Sequence, residues 1–177
     1  MRTGSQTLDM TPIGMIMSVV KSADETQGAS LEMEWELLPK AEGTPVHIHP
    51  SAKETYKVLE GQLDVCIHGK WQRLKEGETL TVPAGVPHTF RNPVERVTRV
   101  YNTHAPAMRF EQYFEDLCAI VEKLSAGRPQ KLSMNFSTAT HLSMLMKKYK
   151  EEIVSVNPGG FMVTVLNSIG KLRGIKI

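Results

Sequence analysis

Between residues 44 and 103 the chain breaks into short apolar runs separated by turn signals, and this rhythm constrains the fold more than any other feature. Glu60-Gly61 divides two strand-like runs. His68-Gly69-Lys70 forms a hairpin tip between residues 63–67 and 71–74. Glu76-Gly77-Glu78 leads into residues 79–82, a Pro/Gly-rich turn over 83–87 precedes residues 88–91, and residues 96–103 close the series. Many short strands at such intervals specify a sandwich or barrel. Upstream, Leu31, Met33, Trp35 and Leu37 alternate with Glu32, Glu34 and Glu36, which reads as a half-buried strand with a solvated or salt-bridged acidic face. Residues 13–21 supply another short β-friendly run.

Within this frame four residues carry chemistry: His47, His49, Glu54 and His88. If residues 45–49 are extended, period-2 alternation points both of their imidazoles to one face, with Ile48 on the other. Glu54 opens the next apolar run, and His88 follows the turn at 83–87. A single strand histidine is ordinarily a hydrogen-bonded polar residue. Here all four fall at spacings that strands can bring together, and the apolar neighbours Val46, Ile48 and Val58 imply burial, where unpaired imidazoles and carboxylates are costly. The set therefore reads as a site for one divalent transition metal (Fe, Mn, Ni, Co, Cu or Zn), with one or two positions of an octahedral ion left open. The lack of cysteine in the set argues against a structural zinc site.

The same positions carry a family resemblance. Gly43, His47, His49, Glu54 and Gly61 are similar to the first signature of the cupin superfamily, although the glycine lies nearer to the first histidine than is usual. Gly77, Pro83, Gly85, His88 and Asn92 resemble the second signature at every position. With three histidines and one glutamate on a single small barrel, the chain resembles the quercetin-dioxygenase-like branch. The resemblance implies a mainly β, cupin-type jelly-roll β-barrel, a homodimer, and a Glu54 that doubles as ligand and catalytic base toward a substrate hydroxyl. It leads to a metal-dependent dioxygenase-type oxidoreductase acting on a small hydroxylated or carbonyl-bearing molecule. Two alternatives stand beside it: a metal-dependent isomerase or lyase acting on a sugar or keto acid, and a non-catalytic cupin that binds a small ligand.

Alternation also nominates a pocket. Tyr56 and Val58 share a phase with Glu54, as Phe90 and Asn92 do with His88. Tyr56 reads either as a donor to an oxygen at the metal or, more commonly, as a core tyrosine bonded elsewhere. Phe90 reads as an apolar wall, and Met15, Met17 and Met33 as adaptable packing. Among the other histidines, His68 is expected in solvent and His141 at a surface or interface. His104, just past the last strand, is expected outside the site, with a supporting role there as the lesser reading.

After Pro106 the period lengthens. Phe110, Tyr113, Phe114, Leu117, Val121 and Leu124 mark an amphipathic helix that ends near Gly127, with a loop over 127–131. Leu142, Leu145, Met146 and Tyr149 suggest a second helix. Asn157-Pro158 reads as the cap and first-turn proline of a third, running toward Leu172. The expected organisation is a β-barrel over 1–106 and a helical appendage over 107–177, packed on the barrel or on a dimer partner.

Composition sets the remaining bounds. At 177 residues the chain suits one domain with a real core, and a formal charge of +2 gives no nucleic-acid surface. Cys66 and Cys118 lack paired or metal-type spacing and read as reduced, partly buried thiols. The first residues do not have a signal-peptide layout, and no stretch of eighteen apolar residues occurs. The expectation is a cytoplasmic protein with a small-molecule ligand and no membrane or nucleic-acid partner.

Overall fold

Alternating sequence becomes two antiparallel sheets in the computed structural model, which describes residues 6–128 and 131–177. Residues 1–5 and part of the expected loop, Pro129 and Gln130, lie outside the described residues. The strands are β1 (Thr7–Met10), β2 (Met15–Lys21), β3 (Leu31–Leu37), β4 (His47–Ile48), β5 (Lys53–Glu60), β6 (Gln62–Ile67), β7 (Lys70–Lys75), β8 (Thr79–Val82), β9 (His88–Arg91), β10 (Thr98–Ala105) and β11 (Val154–Ser155). Three helices complete the chain: α1 (Phe110–Ser125), α2 (Phe136–Lys148) and α3 (Gly160–Leu172). One sheet has the order β1-β2-β3-β10-β5-β8 and the other β11-β4-β9-β6-β7. The expected jelly roll is thus present as two facing sheets.

The sheets meet through aromatic contacts. The Trp35 ring lies 5.4 Å from Phe90 and the Tyr56 ring 5.8 Å from Phe90, centroid to centroid. Leu31, Met33, Trp35 and Leu37 are all buried, which confirms the inward face of β3. The acidic row faces outward, where Glu34 bonds Arg99 and Glu32 accepts from Tyr101. At the β6–β7 tip His68 is exposed, and both His68 and Gly69 have positive φ, as a type I′ hairpin turn requires.

On the outer side of β6, buried Asp64 accepts bonds from Arg73 Nε at 2.7 Å and Arg91 Nε at 3.1 Å. The Arg73 bond, outweighing burial, holds its carboxyl below the ordinary range, with Arg91 adding to the effect. A carboxyl with a depressed folded pKa contributes stability that is complete above its unfolded value of about 4 and is lost as pH falls through the lower folded value. Asp64→Asn is therefore expected to lower stability by about 1 kcal/mol near neutrality, a modest figure because both arginines are half exposed. In thermal melts the gap between wild type and variant should narrow below about pH 4. A gap that stays constant into strong acid would contradict this assignment.

Helix α1 buries Phe110, Tyr113, Phe114, Leu117 and Val121 as the periodicity predicted, together with Ile120. These side chains and the inner faces of both sheets belong to one continuous core that extends to Tyr149 and Ile153. Tyr149 donates to Asp116 Oδ2 at 2.6 Å and lies under Arg109, which fastens the end of α2 to α1. Asn135 caps α2 by accepting from the Thr138 N–H.

Two expectations for the helices need correction. His141 is buried, because α2 packs between α1 and α3 and turns Thr138, His141 and Leu145 inward; its Nδ1 bonds the Ser137 carbonyl. The third helix begins two residues later than expected. Pro158 lies in the preceding turn, and Gly159, in extended conformation, is the cap. Helix α3 buries Val163, Leu166 and Gly170, and leaves Phe161, Met162 and Leu172 exposed. Among the described residues no helix is long and apolar enough to cross a membrane. Cys66 and Cys118 are both free.

Candidate metal centre

Three local devices bring the four expected residues to the interior. His47 lies in β4, directly opposite His88 of β9, so the pairing of two short strands sets two imidazoles side by side, with ring centroids 4.4 Å apart. His49 follows β4, where its carbonyl accepts from Gly85 N–H at 2.8 Å and joins the first signature to the Pro/Gly turn of the second. Glu54 enters from β5, across the cavity. Gly43 has a positive φ of 69°, and a Cβ there would sit 2.1 Å from the Phe90 carbonyl oxygen. Close approach of the loop to β9 therefore demands glycine, displaced spacing notwithstanding.

The ring nitrogens divide cleanly. His47 Nδ1 donates to Pro45 O at 2.8 Å, His88 Nδ1 to Val86 O at 2.8 Å, and His49 Nδ1 to Glu152 O at 2.7 Å. A carbonyl can only accept, so each Nδ1 carries the proton, and in the neutral ring each Nε2 presents a lone pair. Glu54 Oε2 lies 3.1 Å from His49 Nε2 and 2.8 Å from His88 Nε2. Lone pairs facing a carboxylate repel unless a cation, whether a proton or a metal ion, lies among them. The donor atoms of the four residues all fall within 4.8 Å of one another, and every one of these residues is buried. Backbone carbonyls that fix the tautomer are the usual support for histidine ligands. The residues present fit a divalent metal.

Electrostatics agree. Burial, with His49 and His88 adding to it, pulls the His47 pKa down to about 3, so the ring is neutral. Burial alone would raise the Glu54 carboxyl, yet His104, His49 and His88 together hold it well below the carboxylate range. Burial would also lower His88, but the Glu54 bond and charge push it above the ordinary value. The centre is thus a carboxylate that draws positive charge, a proton or a metal ion, to the ring nitrogens facing it.

Two further residues belong to this site. Asn102 donates from Nδ2 to Glu54 Oε1 at 2.8 Å, which leaves Oε2 for the histidine side. His104, expected outside the site, sits with Nε2 3.6 Å from Glu54 Oε1 and its ring against Phe110 at 4.2 Å. Burial takes its pKa down to about 3. Both stand opposite β5 because β10 pairs Asn102 with Tyr56 and His104 with Glu54. A sequence signal existed, since Asn102 and His104 are in phase with apolar Val100.

The pocket candidates divide. Phe90 lines the cavity with Trp35, Met15 and Met17. Tyr56 is wholly buried beside Glu54, and burial plus that charge push its pKa well up. Asn92 is instead a structural knot: Nδ2 donates to the Leu37, Leu38 and Arg96 carbonyls, and Oδ1 accepts from Thr98. The cavity measures about 20 Å³ and is covered by Tyr113, Phe114 and Leu117 of α1 and by Ile153.

This fold and donor set define a cupin domain with a metal-type pocket, and residues 33–104 match the Cupin_2 family, a cupin domain. Residues 33–104 thus carry a match to a cupin domain, and the two-sheet fold around them agrees with it. Among solved structures it is similar to KdgF from Halomonas sp. (19% identity, TM-score 0.53, 63% of this chain and 94% of that one). An RmlC-like cupin from Shewanella frigidimarina is comparable (20% identity, TM-score 0.52, 63% and 92%). At these identities the likeness shows the fold alone. Quercetin 2,3-dioxygenase of Bacillus subtilis is 33% identical over 64 residues, 36% of this chain and 19% of that protein. The HTH-type transcriptional regulator PuuR of Escherichia coli is 26% identical over 99 residues, 56% of this chain and 52% of that protein. The chain spans about half, or less, of the length of these curated relatives.

Proposed function

We propose that the protein is a metal-dependent cupin enzyme of dioxygenase type, holding one divalent ion through His47, His49, Glu54 and His88 and acting on a small hydroxylated or carbonyl-bearing molecule. The observation that carries this reading is the set of three Nδ1–carbonyl bonds, which turns three Nε2 lone pairs and Glu54 Oε2 toward one another. The likeness to a quercetin dioxygenase supports the oxidative chemistry. The ion, when bound, supplies Lewis acidity and redox capacity. Glu54 accepts a proton from a substrate hydroxyl, Asn102 orients that carboxylate, and Phe90, Phe114 and Leu117 exclude water.

A cavity of about 20 Å³ is far below the few hundred Å³ of ordinary organic-ligand sites, so a substrate must displace α1 or the segment at Ile153. The same closure favours a second reading, a non-catalytic cupin that senses a small ligand, which the likeness to PuuR also supports.

Oxygen uptake decides between them. Protein loaded with iron, manganese, nickel or copper is expected to consume oxygen with a flavonol, diketone or catechol, and Glu54→Gln should lose turnover more steeply than metal. Turnover without oxygen moves the assignment to an isomerase or lyase. A ligand-induced thermal shift with no turnover of any kind moves it to the sensing protein.

A further inference from the structure

A helix packed on a domain ordinarily buries one apolar stripe and turns a polar face to solvent. Helix α3 departs from this. Its inner face, Val163, Leu166 and Gly170, packs on α2, with Gly170 close against Met144. Its outer face is apolar as well. Phe161 is 82% exposed, Leu172 88% and Met162 49%, and Val165 and half-buried Ile169 lie between them. At 3.6 residues per turn these five fall within about 100° of the helix circumference, one continuous stripe. Lys171 borders it on one side and Arg173 on the other, both exposed. Arg173 lies over the half-exposed ring of Phe136, 5.1 Å away, which extends the apolar surface to the start of α2. From Ile153 to Ile177 the chain has three cations, Lys171, Arg173 and Lys176, and no acidic side chain. The formal charge of +2 for the whole chain hides this segregation.

We propose that α3 is a docking face for an anionic lipid surface, with its outer stripe at the acyl boundary and its cations at the phosphates. An exposed apolar stripe flanked by cations is the pattern of helices that lie in a bilayer interface. The 13 residues of α3 extend about 20 Å, short of the roughly 30 Å hydrocarbon core, so the helix lies on the membrane and does not cross it. Charge decides against a second copy as the occupant. Antiparallel α3 helices would bring Lys171 and Arg173 of one copy to the N-terminus of the other, the positive end of its dipole, where no acidic side chain stands in the first turn. Parallel helices would set the same cations against each other. Shape favours a bilayer over an acidic protein. Phe161 and Leu172 project from a convex ridge, which lipid flows around and a folded partner could accept only with a matching groove.

The test is co-sedimentation of the full chain with lipid vesicles. Wild type is expected to pellet with vesicles of phosphatidylcholine and phosphatidylglycerol, to stay in solution with phosphatidylcholine alone, and to be released by added salt. A Phe161→Ser, Leu172→Ser double variant should bind about tenfold more weakly or worse, with an unchanged melting temperature, because both side chains are exposed in the fold. A Lys171→Gln, Arg173→Gln double variant should bind about 30-fold more weakly, the effect of two charges at an anionic surface. Wild type that stays in solution with the anionic vesicles overturns the proposal, as does affinity that either double variant leaves unchanged. Equal pelleting with neutral vesicles overturns the anionic surface as the occupant. A wild-type dimer that ignores vesicles and that Phe161→Ser, Leu172→Ser converts to a monomer gives the stripe to a second copy, and overturns the proposal as well.

Discussion

A His49→Ala, Glu54→Ala double variant is expected to purify with less than about a tenth of the wild-type metal while its sheets remain folded. The change removes one of three Nε2 donors and the only carboxylate of the cluster. Loss of His49 also leaves the Glu152 carbonyl without its partner. The fold has independent support, because the core formed by Leu31, Met33, Trp35, Val58, Leu63 and Val65 does not pass through the ion. A chain of this size does not need a metal to bury its apolar surface. Elemental analysis with far-ultraviolet circular dichroism reads both halves of the expectation. Unchanged metal content in the double variant would sink the site, and a collapse of the β signal would show that the metal is structural.

The second large effect concerns the C-terminal helices. A chain ending at Pro106 is expected to aggregate or melt far below the full chain, even with all four candidate ligands retained. The truncation removes Phe110, Tyr113, Phe114 and Leu117, each buried against the sheets or the cavity. Burying such a side chain contributes roughly 1.5–3 kcal/mol, so a few of them match the 5–15 kcal/mol net stability of a typical domain. It also strips the cover from Trp35 and His104, whose rings contact Phe114 at 6.2 Å and 5.6 Å. Thermal melting and sedimentation of the truncate decide the matter. A soluble, monodisperse truncate of unchanged stability would show that the helices are a dispensable tail.

What the sequence made legible was whatever depends on local period. Leu31 to Leu37 declared its two faces by alternation, and the hairpin at His68-Gly69 declared itself by turn chemistry. The four candidate ligands were legible because each lies beside a Gly/Pro turn at a fixed spacing. His104 was not, because its place in the site comes from the pairing of β10 with β5, where it faces Glu54 across 50 residues of chain. His141 misled for a related reason: a polar side chain on an amphipathic helix looks solvated until a second helix covers it. The two-residue strand β11 carries no periodic signal, and only its partner β4 makes it a strand.

That small strand has a consequence for the order in which the protein is made. The carbonyl that fixes the His49 tautomer belongs to Glu152, 103 residues later, and β11 beside it borders the strand of His47. Synthesis runs from the N-terminus, and His47, His49, Glu54 and His88 all leave the ribosome well before Glu152 does. A nascent chain displaying every candidate ligand still lacks the bond that turns the His49 lone pair inward. The candidate centre is composed of early residues and completed by a late one, so the His49 ring gains its fixing bond only once residue 152 has been made.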